Sequence, residues 1–248
     1  MTTPSQSRHG RLFLIPVALG DSPWSHFLPT QAQQIAAGLD CFVVENARAA
    51  RAHLKQLDYP QPLRDTDIRE LPDAAKAGND EYDALLAPAL AGRDLGLMSD
   101  AGCPAVADPG ARLVARAHAL GIEVAPLVGP SSILLGLMAS GLNGQSFCFH
   151  GYLPVKDGER SQALRRLEQE SASEGRTQLF IETPYRNEAM FDALLASLKP
   201  GTRLCLARDL NSSNEWIRSF SIASWKKQPR PELARRPCLF LLLAAPQR

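Results

Sequence analysis

The chain has 248 residues, enough for one large or two modest domains. Its 45% hydrophobic and 21% charged residues match an average globular mixture, which excludes an intrinsically disordered chain. With 27 Lys and Arg against 26 Asp and Glu, the formal charge of +1 supplies no whole-molecule field for nucleic acid or anionic lipid, so any RNA contact must be local.

Short apolar runs alternate with stretches of helical period through the first half. Residues 11–17 (RLFLIPV), 40–45 (DCFVVE), 94–99 (DLGLMS) and 122–128 (IEVAPLV) have the length and the β-branched or aromatic content of buried strands. Apolar positions at three- and four-residue spacing predict helices over 29–38, 47–57, 81–91 and 109–120. The last of these is expected to open with Asp108 as N-cap and Pro109 at N1, and to close at Gly121. The polar segment 58–80 is expected to be a mobile loop. Strand and helix in strict alternation imply a parallel sheet covered on both faces.

The second half has another rhythm. After a helix near 131–140, strands are predicted at 146–152, 177–182, 203–208, 216–223 and 237–244, with helices only at 159–170 and 185–198. No helix separates the last two strands, so part of this sheet is expected to be antiparallel. The expected architecture is therefore α/β in two domains, 1–129 with a mostly parallel sheet and 130–248 with a mixed one.

The longest apolar stretch, 238–245, is less than half of the ~20 residues a spanning helix needs, so no membrane segment is expected. The polar opening and the run broken at Pro16 lack the continuous apolar region of a secretory signal, and a cytoplasmic location is expected. Five scattered cysteines fit reduced, mostly buried thiols, and the absence of CxxC or HxxxH spacing argues against a metal site. GxGxxG, GxxxxGK[ST] and GxSxG are all missing, which removes the ordinary dinucleotide, P-loop and hydrolase readings.

What remains are four unusual loops at strand ends, where parallel sheets bind ligands. Residues 16–21 (PVALGD) put a glycine where backbone can approach a ligand, although such turns are common structural features. Residues 45–48 (ENAR) place polar groups at a strand end, with Asn46 equally suited to capping the next helix. Residues 99–110 (SDAGCPAVADPG) hold two Asp, two Gly and two Pro. Asp100 is expected to serve a ligand there and Asp108 to cap a helix. Residues 128–142 open an apolar helix with Ser131 and Ser132, whose free amides suit a carboxylate.

Taken in order, LFLIPVALGD, VVENAR, LMSDAGCPAVADPG, PLVGPSS, FHGYLP, FIETPYR and LARDLN resemble the tetrapyrrole methylase family, the class III S-adenosylmethionine-dependent methyltransferases, over about residues 10–245. Within it the chain is most similar to the branch that methylates ribose 2′-hydroxyls of ribosomal RNA. The resemblance implies two α/β domains with a cleft between them, bound S-adenosylmethionine and a homodimer. It assigns the cofactor to Pro16, Leu19 and Gly20, to Asp100, Ala101, Gly102 and Val106, to Ser131 and Ser132, and to Leu153. This chain departs from the branch at 16–21, where Pro-Thr-Pro-Ile-Gly-Asn is usual, and at 45–48, where Glu-Asp-Thr-Arg is usual. It also departs at 181–186, with IETPYR for Tyr-Glu-Ser-Pro-His-Arg, and it ends after the FLLLAAP strand.

Methyl transfer needs the acceptor in line with the S–CH₃ bond, so positioning supplies much of the rate. A hydroxyl acceptor is helped by a base, for which Glu45 and Glu182 are the candidates, with Asp21 behind them. Arg48, Arg186 and Arg208 are expected to hold an anionic substrate, unless they form salt bridges instead. Lys156, Arg160, Arg165 and Arg166 read as a solvated helix face rather than a phosphate patch. Three classes of function follow: an RNA methyltransferase, favoured by the resemblance; a methyltransferase for a tetrapyrrole-like or other small molecule; and a cofactor-binding protein without retained activity.

Overall fold

The computed structural model describes residues 9–57 and 59–245. The chain divides into two compact units, Met1–Pro130 and Ser131–Arg248, each built on its own five-stranded sheet.

The first unit runs β1 (Leu12–Leu14), α1 (Thr30–Gly38), β2 (Cys41–Val44), α2 (Ala47–Gln56), β3 (Asp67–Glu70), α3 (Asn79–Leu90), β4 (Leu95–Met98), α4 (Ala111–Ala119) and β5 (Val124–Pro126). Every pairing is parallel, in the order β3-β2-β4-β1-β5. Strands β2 and β4 are buried on both faces, which is why CFVV and LGLM read as unbroken apolar runs rather than alternating ones. On one face Phe42, Ile15, Trp24 and Leu54 pack together; on the other, Leu12, Val43, Leu86, Leu97 and Leu113 do so.

Two expectations fail here. Within 58–80 the residues 67–70 form the edge strand β3, in register from Cys41↔Asp67 to Val44↔Glu70, and Asn79 already opens α3. Asp58 lies outside the described residues. The strand is disguised because an edge needs little burial: half-buried Ile68 packs on the core while Arg69 bridges Asp67 at 2.6 Å. Nor does Asp108 cap α4. Ala105 and Ala107 both have φ of 64°, and Gly110, the residue before the helix, sits at φ 125°. A helix needs negative φ throughout, so α4 can begin only after Gly110.

The second unit runs α5 (Ser132–Ser140), β6 (Phe147–Tyr152), α6 (Asp157–Glu174), β7 (Thr177–Ile181), α7 (Asn187–Ser197), β8 (Arg203–Arg208), β9 (Trp216–Ser221), α8 (Ile222–Trp225) and β10 (Cys238–Leu243). Its order is β6-β7-β10-β8-β9; β6 and β7 are parallel and the remaining pairs antiparallel, so the expected mixed sheet is present. The predicted strand at 216–223 stops at Ser221, whose hydroxyl accepts from Ser224 N–H and starts the short α8. Phe180 on β7 faces Phe240 on β10 across the ladder, their rings parallel to within 1° and 5.5 Å apart. Both are fully buried.

That pair sits where β7 joins the central strand, so Phe240→Ala should lower unfolding free energy by about 3–5 kcal/mol, read from urea unfolding of the intact chain. A loss below about 1 kcal/mol would mean that this core refills the space.

Candidate active site

The site is built from the order β2-β4-β1, which sets three exit segments side by side at one edge of the first sheet. The ladder runs slightly past the strands: Ile15 N–H donates to Leu97 C=O at 2.9 Å and Glu45 N–H to Met98 C=O at 3.1 Å. Beyond it, Val17 N–H donates to Gly102 C=O at 2.9 Å in an isolated antiparallel bridge, tying the loop after β1 to the loop after β4. Gly102 has φ of +71°, and a Cβ there would lie 3.1 Å from Leu19 Cδ2 and 3.6 Å from Pro130 C=O. Cys103 Sγ lies 3.2 Å from that same carbonyl. A Cβ on Gly129 would come within 2.3 Å of Pro16 Cβ, so only glycine lets these two loops meet. Pro16, Leu19 and Gly102 are thus brought together; Gly20, Asp100, Ala101 and Val106 lie exposed along the same loops.

Polar groups converge where β2 and β4 end. Asp100 N–H donates to Glu45 Oε2 at 3.2 Å, and His53 Nε2, from α2, lies 3.0 Å from Asp100 C=O. Asn46 caps α2, its Oδ1 accepting from Arg48 N–H at 2.9 Å and Ala49 N–H at 3.1 Å, and Arg48 is exposed in the first turn. Asp108, relieved of any capping duty, turns to the same place. Burial pushes its carboxyl up to about 6, and the negative charges of Glu45 and Asp100 add to the rise. Ser99 pulls the other way; its buried hydroxyl nevertheless meets no partner at standard hydrogen-bond geometry among the described residues. His53 and Ser99 carry no signal at the level of spacing, since nothing links residue 53 to residue 100, whereas Asp108 reads as a helix cap because Pro109 follows it.

In the second unit, Ser131 is the N-cap of α5 with extended backbone, and its side chain makes no capping bond, so the first-turn amides and the Ser131 hydroxyl are not used on each other. Leu153 follows β6 and left-handed Gly151, but its side chain belongs to the core beside Leu164 and Phe180, leaving only its backbone to serve a ligand. Glu182 is buried. Its Oε1 accepts from Thr183 N–H at 2.6 Å, Thr183 Oγ1 at 3.1 Å, Arg186 Nε at 3.0 Å and Arg186 Nη2 at 2.7 Å, which directs it into its own turn. Arg186 also lies over the Tyr185 ring at 5.2 Å. Arg208 donates to Glu232 C=O at 2.5 Å, pairs with Asp209 at 3.3 Å and lies over Trp216 at 5.3 Å. On α6, Arg160 pairs with Asp157, Lys156 with Glu159 and Arg166 with Glu170, a helix face balanced within itself.

Among the described residues no group of three or more His, Cys, Asp or Glu is arranged to hold a metal ion, and no helix is long and apolar enough to cross a membrane. Residues 25–224 match the family described as Tetrapyrrole (Corrin/Porphyrin) Methylases. A ribosomal RNA small subunit methyltransferase I from Mesorhizobium japonicum is 33% identical over 87% of this chain and 69% of its own length. The protein of the same name from Xylella fastidiosa is 30% identical over 98% and 82%. Among solved structures, the methyltransferase CobJ aligns with a TM-score of 0.61 over 95% of both chains at 17% identity, a likeness of fold.

The raised pKa of Asp108 has a stability consequence whose sign is fixed. In the unfolded chain the carboxyl ionises near 3.8, whereas in the folded protein it holds its proton to about 6. The folded state therefore binds more protons between these values, stability falls as pH rises through that window, and the cost is complete above pH 6. Asp108→Asn should stabilise the protein at pH 7.5 by about 1–3 kcal/mol and flatten the dependence between pH 4 and 6, measured by denaturant unfolding across pH. Equal destabilisation at every pH would contradict the assignment.

Proposed function

Because this chain belongs to the tetrapyrrole (corrin/porphyrin) methylases, we propose that it transfers a methyl group from S-adenosylmethionine to a ribose 2′-hydroxyl of RNA. It is a methyltransferase by family. The RNA assignment is carried by its similarity, over most of the chain, to proteins named for small-subunit ribosomal RNA.

When bound, S-adenosylmethionine supplies a methyl group already activated by the sulfonium charge. The residues present suit such a ligand. Gly102 leaves room beside Leu19 and Pro130 that a side chain would fill, and exposed Asp100 offers a carboxylate to a cation. In the first unit Pro16, Leu19, Gly20, Asp100, Ala101, Gly102 and Val106 would hold it; the family resemblance adds Ser131, whose side chain makes no capping bond, Ser132 and the backbone of Leu153.

The acceptor hydroxyl must give up its proton. Glu182 Oε1 is taken by four donors of its own turn, with Oε2 buried and unpartnered among the described residues, and Glu45 Oε2 accepts the Asp100 amide; we assign the proton to Asp108, the carboxylate beside Glu45 and Asp100 whose proton affinity is raised. Its proton affinity, raised towards neutrality, is what a general base working near pH 7 requires. Of the three arginines expected to grip substrate, Arg186 and Arg208 are engaged inside the second unit, which leaves exposed Arg48 for phosphate. The family resemblance carries the expectation of a homodimer.

Calorimetry with S-adenosylmethionine, followed by labelled-methyl transfer to small-subunit ribosomal RNA and to a small-molecule pool, tests the reading. Binding, transfer to RNA, and an RNA affinity that falls steeply with salt are expected. Transfer only to small molecules, which the near-zero net charge would favour, replaces the RNA assignment. Binding without transfer to either removes the enzymatic one.

A further inference from the structure

We propose that Glu45 and His53 form a clamp on the backbone of Asp100 that fixes the direction of its carboxylate, making both of them positioning residues. This rests on the reading above that the loop after β4 receives the methyl donor.

The N–H and C=O of one residue belong to two different peptide planes, one on each side of its Cα. Because each plane is rigid, holding both fixes φ and ψ, and with them the direction of the Cα–Cβ bond. Asp100 is held in this way: its N–H donates to Glu45 Oε2 at 3.2 Å and its C=O lies 3.0 Å from His53 Nε2. Both partners come from one short segment. Glu45 leaves β2 immediately before the Asn46 cap, and His53 stands two turns into α2, whose start that cap fixes. An exposed aspartate followed closely by a left-handed glycine would otherwise be free to swing.

The chemistry of the second bond specifies its proton. A carbonyl only accepts, so His53 Nε2 carries the hydrogen. His53 Nδ1 is buried with no partner among the described residues, so a hydrogen placed there would have no acceptor. The imidazole is therefore set as the Nε2–H tautomer by its surroundings. The first bond is an amide to a carboxylate, the stronger kind. Glu45 thereby acts on the ligand through Asp100 and not by taking a proton.

The variants Glu45→Ala, Glu45→Gln and His53→Phe separate these roles, since glutamine keeps an accepting oxygen and phenylalanine keeps the ring but no donor. Two readouts need no bound donor: the exchange rate of the Asp100 amide, and the ¹⁵N shifts of the His53 ring at pH 8. Expected are roughly 5- to 50-fold weaker S-adenosylmethionine binding in Glu45→Ala and in His53→Phe, recovery to within about threefold in Glu45→Gln, and amide exchange that follows the same order. An Nε2–H tautomer in the unmodified protein is also required, and its absence would remove the His53 half even where a variant fails to fold.

Three results overturn the clamp: His53→Phe with the binding and exchange of the unmodified protein; a ring protonated at Nδ1 alone; or Glu45→Gln as impaired in turnover as Glu45→Ala with binding unchanged, which would make Glu45 a base. If the unmodified protein binds no S-adenosylmethionine, the functional reading falls, while exchange and tautomer still decide the clamp.

Discussion

Strand direction is the constraint on which the rest depends. In the first unit all five strands point one way, so every exit segment reaches the same edge, and the order β2-β4-β1 makes three of those segments neighbours. Had β4 paired elsewhere, Glu45, Asp100 and Val17 would have had no common place to meet. The Val17–Gly102 bridge and the Gly129–Pro16 contact then lock loops that are distant in sequence. A Cβ at Gly129 would collide with Pro16, and a side chain at Gly102 would be strained by its φ of +71°. A rigid edge carrying several fixed loops is what a site that works by positioning requires.

The carboxylates at that edge divide their labour through what they are bonded to. Glu45 faces an amide, Asp100 faces outward on a held backbone, and Asp108 sits half-buried beside both. Burial and the neighbouring negative charges of Glu45 and Asp100 both raise the proton affinity of Asp108. Different behaviour in chemically similar side chains therefore arises from the loop's path, in particular from left-handed Ala105 and Ala107. Such backbone is strained for alanine and persists only where its surroundings demand it.

Much of this was legible in the residues. The buried strands announce themselves because burial on both faces forces continuous apolar runs, as in CFVV and LGLM. The exit loops stand out because Gly and Pro mark them, and the family resemblance followed from their order. Edge strand β3 was not legible: DIRE buries none of its four side chains fully, packs only a half-buried Ile68 on the core and carries its own ion pair. Asp108 misled because Asp-Pro is a strong helix-start signal, and only Gly110 at φ 125° shows that the helix begins later. His53 was invisible, since its partner is a backbone carbonyl 47 residues away. For Arg186 and Arg208 the residues left substrate contact and salt bridge both open, because spacing says nothing of Glu182, Asp209 and Trp216 beside them.

Strand β10 comes last in the chain order of the second unit yet occupies the middle of its sheet, between β7 and β8. During synthesis, therefore, the first sheet can close as soon as β5 emerges, while the second waits for residues 238–243. Until they arrive, the β6–β7 pair and the β8–β9 hairpin each present a bare, apolar edge with nothing to seal it. The second sheet can therefore be completed only after the first, because its central strand is the last to be made.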